Sequence, residues 1–291
     1  MKEPVKHYDL HNHTTASDGA FTPTELVRQA AEIGLGGLAI TDHDTFDGLS
    51  EAAEAAKKLP ISVIFGVELS CEAEIDGRAH EVHILGLGVD PLRGELPQRL
   101  QEMQAHRRQR GAKILAKLAE LGMPLGDDWL ADYAEQGSLG RGLIARKLVE
   151  AGYAADNDEV FARWLSPGRP AYVPRLKLSA EEAVRLLHEN GALAVLAHPV
   201  QVGDDRIIPL LAAVGVDAME CAHPDHDGQT EQHYRRLAAE YGLAVSGGSD
   251  CHTGGLGGHF ATGAELAELW YRRRKWALKN LPDPYELLNG N

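Results

Sequence analysis

Short apolar stretches rich in Val, Ile and Leu recur along the chain and alternate with segments whose apolar residues fall at helical spacing. The apolar runs predict strands near 5–10, 36–41, 61–67, 81–87, 192–197, 216–221 and 243–248, because a short run of this kind bounded by turn residues marks a buried strand. The segments between them carry helix start signals. Thr22-Pro23-Thr24-Glu25 offers an N-cap, a proline at the first helical position and a glutamate at the third, a set that satisfies the free amides of a first turn. Ser179 with Glu182 repeats the capping pattern and opens a helix that runs to Asn190-Gly191. Strand–helix alternation predicts an α/β fold with a parallel sheet, open or closed into a barrel.

The stretch 97–173 breaks the alternation. It holds a long helical pattern from Leu96 to Leu121, then shorter helices around 141–151 and 157–165, and no buried-strand signal. The expected organisation is therefore an α/β domain from 1–96 and 174–291, interrupted by a helical insert at 97–173 that rejoins it through Pro167-Gly168-Arg169-Pro170. A closing helix is expected over Glu265 to Leu281, its Arg272-Arg273-Arg274-Lys275 run reading as a solvated face.

Composition narrows the function. With 291 residues, 44% hydrophobic and 25% charged, the chain has ample material for a core and is neither disordered nor fibrous. Twenty-nine basic against 43 acidic residues give a formal charge of -14, which argues against a broad grip on duplex DNA. The opening MKEPVKHYDL lacks a basic-then-apolar leader, and no apolar run approaches the ~20 residues that span a bilayer. Cys71, Cys221 and Cys251 are widely separated and are expected as free thiols in a reducing cytoplasm. Fourteen histidines are the first hint of metal.

The chemistry lies in what the strands carry at their ends. The first runs into Asp9-Leu10-His11-Asn12-His13, and the second ends Thr41-Asp42-His43-Asp44. The third leads to Val67-Glu68, and the fourth carries His80, Glu81 and His83. The fifth ends Ala197-His198-Pro199, the seventh Ser249-Asp250-Cys251-His252. In parallel α/β folds the loops at the carboxyl ends of the strands converge on one surface, so ligands scattered in sequence meet in one cavity. In an extended segment, residues two apart point the same way, which pairs His11 with His13 and Asp250 with His252. Seven or more ionisable groups at buried strand ends without a cation would cost several kcal/mol apiece. Imidazole and carboxylate without thiolate suit Mn first, with Zn or Fe(II) as alternatives. So many donors imply two to three divalent ions, with Glu68 as the natural bridge. Such clusters hydrolyse phosphate esters.

His11-x-His13 followed by Ser17-Asp18-Gly19, then Thr41-Asp42-His43, Glu68, His83, Ala197-His198-Pro199 and Gly248-Ser249-Asp250-x-His252 resemble the PHP (polymerase and histidinol phosphatase) family. The resemblance implies a distorted seven-stranded (β/α)7 barrel. It also implies that His11, His13, Glu68 and Asp250 hold a first ion, Asp18, His43 and His252 a second, and Glu68, His83 and His198 a third. Within the family, the helical insert with Gly140-Arg141 and Arg169-Pro170-Ala171-Tyr172-Val173 resembles the phosphoesterase branch that acts on 3′,5′-nucleoside bisphosphates and trims short 5′-phosphorylated RNA.

For such a substrate a second phosphate requires its own donors, and the planar fork of Arg meets two oxygens at once. Arg141, Arg169, Arg175 and Lys177 are the candidates for the 5′-phosphate, while the ions hold the scissile 3′-phosphate. Ser138 supplies a hydroxyl and Tyr172 a stacking surface for a base. His223, in Cys221-Ala222-His223-Pro224, is a candidate phosphate contact or proton donor to the leaving hydroxyl; with the metal-holding Asp250 it forms the candidate catalytic pair. His106, His188, His226 and His233 receive no role. Two rivals are a histidinol-phosphate phosphatase, which the Arg-bearing insert argues against, and a non-catalytic PHP module, which the filled ligand positions argue against. The expected partners are a nucleotide and short single-stranded RNA, with no duplex DNA and no membrane.

Overall fold

A computed structural model describes residues 6–126, 141–174 and 176–276. Seven strands occur where the apolar runs place them: β1 (His7–Asp9), β2 (Gly37–Ile40), β3 (Ser62–Ile75), β4 (Arg78–Leu87), β6 (Leu193–Leu196), β7 (Ala218–Ala222) and β8 (Ala244–Gly247). Two short strands, β5 (Leu178–Ser179) and β9 (Ala261–Thr262), join them. The order across the sheet is β8-β7-β6-β4-β3-β2-β1-β9, with β5 beside β3. After β1, the Leu10 amide donates to the Gly247 carbonyl at 3.1 Å, and Asn12 bridges Cys251 in parallel register. These contacts nearly close the sheet, giving the distorted barrel that was expected.

One expectation is corrected. β1, β2 and β3 run parallel, as do β6, β7 and β8, but β4 is antiparallel to both β3 and β6. The cause is local. Only Asp76 and Gly77 separate β3 from β4, both in the left-handed region with φ of 51° and 75°. A two-residue turn of that kind makes a hairpin, whereas a parallel return requires a crossover of about a dozen residues. β3 also continues past its expected end at 67, pairing with β4 out to Ile75.

The barrel interior is filled by one face of each strand, including Ile64, Leu85, Val195, Ala197, Ala218 and Ala244, all buried. Each large aliphatic side chain so buried contributes roughly 1.5–3 kcal/mol. Helix α1 (Pro23–Glu32) begins with the full capping box of Thr22 and Glu25 and buries Leu26, Val27 and Ala30. Helix α2 spans Leu49–Ala56. The chain divides into two compact units, one formed by segments up to Gln98 and from Lys177, the other by Arg99–Leu176. Helix α3 (Leu96–Glu120) runs through the first of these boundaries. The second unit packs its own core, in which Ile114 and Leu118 of α3 meet Ile144 and Leu148 of α4 (Arg141–Glu150) and Val160 of α5 (Asn157–Val160). Trp164 and Leu165, in a wider helical turn after α5, complete it.

The barrel unit is finished by α6 (Ala180–Asn190), α7 (Ile207–Val214), α8 (Gly228–Glu240) and α9 (Gly263–Trp276). Ser179 caps α6 by accepting the Glu182 amide, and Gly191 ends it at φ 87°. Among the described residues no helix is long and apolar enough to cross a membrane.

Gly248 lies at the seam of the barrel. A Cβ there would sit 2.4 Å from His11 Cβ and 2.5 Å from the His11 amide nitrogen, contacts no rotamer change relieves. Gly248→Ala should destabilise the protein by about 1–3 kcal/mol, the usual cost of overpacking. Urea unfolding measures this, and an unchanged midpoint would contradict the tight seam.

Candidate metal centre

The parallel strands deliver their ligands just past their carboxyl ends: His11 and His13 after β1, His43 after β2, His198 after β6, and Asp250 and His252 after β8. β3 contributes Glu68 from within its length. Because β4 runs the other way, its N-terminal half lies at this same end, and His83 pairs with Ser70 two residues beyond Glu68. Asp18 stands on the loop after His13, and Ser17, donating to Asp42 at 2.6 Å, holds that loop.

All nine predicted ligands come together. Potential donor atoms of His11, His13 and Asp250 converge, as do those of His13, Asp18, His43 and His252; two further groups, His11–Glu68–His198 and His43–Glu68–His83, share the Glu68 carboxylate. Glu68 is 1% exposed. Its Oε1 lies 2.8 Å from His83 Nδ1 and 3.0 Å from His198 Nε2. Its Oε2 lies 2.9 Å from His43 Nδ1 and 3.2 Å from His13 Nε2. His11 Nε2 and His13 Nε2 face each other at 3.1 Å.

This donor set fits divalent cations. The buried Glu68 Oε2 and His43 Nδ1 are close, yet neither has a hydrogen-bond partner of proper geometry. Buried polar atoms left this way are rare, and two lone pairs aimed past one another are what a shared cation satisfies. Ring nitrogens and carboxylate oxygens without a thiolate match the preferences of Mn, Zn and Fe(II); the cysteines belong to none of the four groups.

Electrostatics point the same way. Burial alone would drive Glu68 up, but the surrounding His43, His83 and His11 hold it well below the ordinary carboxylate range. Burial likewise opposes charge on His13, yet hydrogen bonds that its ring donates to Asp250 and Glu68 raise it to about 9. His83 is raised to about 9 against its own desolvation by the Glu68 charge. Asp250 and Asp18 are lowered, chiefly by His13 and His252 respectively, although burial works against both. His43 alone among these imidazoles is lowered, by desolvation.

Other predicted residues fall differently. His223 is buried 2% exposed; its Nδ1 accepts the Asp225 amide at 3.0 Å and its Nε2 lies 3.4 Å from Asp250 Oδ2. It therefore sits at the cluster with its remaining proton facing inward. Lys177 pairs with Glu81 at 2.9 Å. In the second unit, Arg141 donates to the Leu165 carbonyl at 3.3 Å and stands over the rings of Phe161 and Tyr172 at 5.6 and 5.9 Å. Arg169 is exposed. Ser138 and Arg175 lie outside the described residues.

Several buried carboxylates received no role from the sequence. Asp42 accepts from the Thr14 amide and hydroxyl at 2.7 and 2.8 Å, and Asp9 from the Ser249 and Gly257 amides at 2.9 and 2.8 Å. Glu220 of β7 is fully buried, with His11 Nδ1 at 3.2 Å from one oxygen and 3.3 Å from the other. A glutamate inside Ala218-Met219-Glu220-Cys221-Ala222, two residues from a core alanine on the same strand face, was the available signal.

A cluster of imidazoles and carboxylates at the mouth of a nearly closed β/α barrel is the arrangement of a metal-dependent hydrolase. The PHP domain family model matches residues 9–139. The chain is 36% identical over 252 residues to the 5′-3′ exoribonuclease Rnm of Escherichia coli, covering 84% of this chain and 85% of that protein. It is 36% identical over 256 residues to the 3′,5′-nucleoside bisphosphate phosphatase of Chromobacterium violaceum, covering 86% and 88%. The crystal structure of a presumptive metal-dependent phosphoesterase from Bifidobacterium adolescentis superposes with a TM-score of 0.78 at 30% identity, covering 92% of this chain and 97% of that one. The chain belongs to the PHP family.

Proton and metal compete for these donors. The raised His13 and His83 stabilise the metal-free fold fully below about 6.5, and that contribution is lost as pH climbs through about 9. The depressed Glu68 and Asp250 contribute above the ordinary carboxylate range and lose that contribution in acid. Since bound protons must leave first, Mn²⁺ affinity should rise steadily from pH 6.5 to 9, with net proton release. Calorimetry in buffers of different ionisation enthalpy measures both, and a pH-independent affinity would contradict the assignment.

Proposed function

We propose that this chain is a metal-dependent phosphoesterase that removes the 3′-phosphate of 3′,5′-nucleoside bisphosphates, converting pAp to AMP and phosphate, and trims short 5′-phosphorylated RNA. The observation that carries the reading is the gathering of five imidazoles around one buried carboxylate, Glu68. The relatives named above, an exoribonuclease and a bisphosphate phosphatase matched over more than four fifths of the chain, support the substrate class.

His11, His13, Glu68 and Asp250 would hold one divalent ion, Asp18, His43 and His252 a second, and Glu68, His83 and His198 a third, with Mn²⁺ as the ion we favour and Zn or Fe(II) as the alternatives. When bound, such ions lower the pKa of a coordinated water and offset charge on phosphoryl oxygens. The remaining work falls to the chain. The Asp225 amide fixes His223 with its proton on Nε2, directed into the cluster as a donor to a phosphate oxygen or to the departing sugar oxygen. Water adds at phosphorus, the ester P–O bond breaks, the departing sugar oxygen takes the His223 Nε2 proton to become the hydroxyl, and the proton released by the water restores His223. Arg141 and Arg169 are the candidates for the second phosphate. Lys177 is a weaker one because Glu81 already engages it. The three cysteines are buried and form no disulfide, which fits a reducing cytoplasm.

The test is phosphate release from pAp, from a 5′-phosphorylated oligoribonucleotide and from simple monoesters, with Mn²⁺ supplied. The first two should turn over best; histidinol phosphate as the preferred substrate would overturn the reading. Glu68→Gln removes a charge that several ligands depend on, and losing several kcal/mol of charge stabilisation should lower kcat/KM about a thousandfold or more.

Arg141→Ala separates substrate recognition from chemistry. It should cost about 1.5–3 kcal/mol, or roughly 10- to 100-fold in kcat/KM, on 5′-phosphorylated substrates, and far less on 3′-monophosphates. Equal losses on both would remove Arg141 from phosphate recognition.

A further inference from the structure

Among the described residues, Glu220 is the one fully buried carboxylate that contacts a proposed metal-binding ring without belonging to any of the four converging donor groups. It sits in the middle of β7, where all five positions are buried. Both its oxygens lie on His11 Nδ1, at 3.2 and 3.3 Å. Because a carboxylate only accepts, the His11 proton is held on Nδ1. In the neutral ring, the form that binds a metal, Nε2 then keeps its lone pair, and it faces Asp250 Oδ1 at 3.5 Å, Glu68 Oε2 at 3.4 Å and His13 Nε2 at 3.1 Å. The same Glu220 accepts the His198 backbone amide at 2.9 Å, at a residue whose φ of 26° and ψ of 62° lie outside the ordinary regions. One side chain on β7 thus governs ligand residues delivered by β1 and β6.

We infer that Glu220 is a positioning residue of the metal centre: it fixes the His11 tautomer and the His198 backbone so that both rings present Nε2 to the ions, and thereby sets metal affinity. The inference rests on the metal-centre reading above. A ligating histidine whose other ring nitrogen donates to a carboxylate is oriented and made more basic, and loss of such a partner costs about 10–100-fold in affinity or activity. Glu220→Gln keeps the shape and one acceptor oxygen but puts a donor amide where an acceptor is required, setting it against either the Nδ1 proton or the His198 amide.

The experiment measures Mn²⁺ binding to metal-stripped wild type and Glu220→Gln by calorimetry, alongside thermal unfolding in EDTA. We expect Glu220→Gln to bind Mn²⁺ about 10–100-fold more weakly while keeping a cooperative metal-free unfolding transition, with kcat recovering at high Mn²⁺. Affinity within twofold of wild type would overturn the inference, whereas a wild type that binds no metal would overturn the metal-centre reading instead. Should the variant not fold, the Zn²⁺-loaded wild type decides the question through ¹⁵N shifts of the His11 ring. A proton on Nδ1 with metal on Nε2 supports the assignment, and the reverse ends it.

Discussion

A carboxylate cannot be buried as an anion without partners that repay its lost hydration, and Glu68 is the place where this protein meets that constraint. Its two oxygens are divided between four imidazoles from β1, β2 and β4 and a fifth from the end of β6. Left alone, the ion would cost several kcal/mol. Surrounded in this way, it stays charged far below its ordinary range. The imidazoles in turn crowd one another, with two Nε2 atoms 3.1 Å apart. A single proton can serve only one such pair, so the cluster is balanced by several protons or by cations of higher charge. That competition is why metal affinity and the pH dependence of folding are two readings of one equilibrium.

The barrel exists, in this light, to bring five or more strand ends to a single rim, and the departures from regular geometry occur there. Three of the four non-glycine residues with positive φ among the described residues, Asp44, His198 and Asp250, lie at this rim. Each such conformation costs roughly 1–3 kcal/mol and persists only when its surroundings fix it. The fixing contacts are visible: Asp44 accepts the Ser70 amide at 2.8 Å, and Glu220 accepts the His198 amide at 2.9 Å. The pairing of Asp250 with His252 was expected from an extended backbone. It is achieved instead through the left-handed Asp250, which leaves His252 Nδ1 3.4 Å from Asp250 Oδ1.

Much of this was legible from residue order, for identifiable reasons. Strand positions follow from apolar runs, and the ligands follow from reading what each strand ends on. Helix starts at Thr22 and Ser179 carry their chemistry in the side chain itself. Strand direction is different, since apolar alternation reads the same in either sense. The direction of β4 is encoded in Asp76-Gly77, a turn signal easily passed over beside the longer apolar runs. Glu220 was hidden for a related reason. Its neighbours mark β7 as core, and a charge in a core strand gains meaning only once its partner 209 residues away is in place. Arg141 shows the limit from the other side, because its type suits phosphate while its contacts in the second unit are a carbonyl and two aromatic rings.

The net charge of -14 sets a condition on any phosphate ester that binds. Salt screens distant charges beyond roughly 8 Å at physiological ionic strength, so the sign of the field at the rim is decided by the cluster itself. Asp18, Glu68 and Asp250 are held anionic there, and Glu220, also lowered by His11 against its burial, adds a fourth negative charge. Asp42 and Asp44 are buried beside them. On the reading proposed above, two divalent ions would offset the four carboxylates of the cluster itself, and each further ion would make the rim more favourable to a dianionic phosphate. The Glu68–His83–His198 corner is therefore more than a spare set of donors, because its occupancy would bear on substrate attraction as well as on the holding of metal.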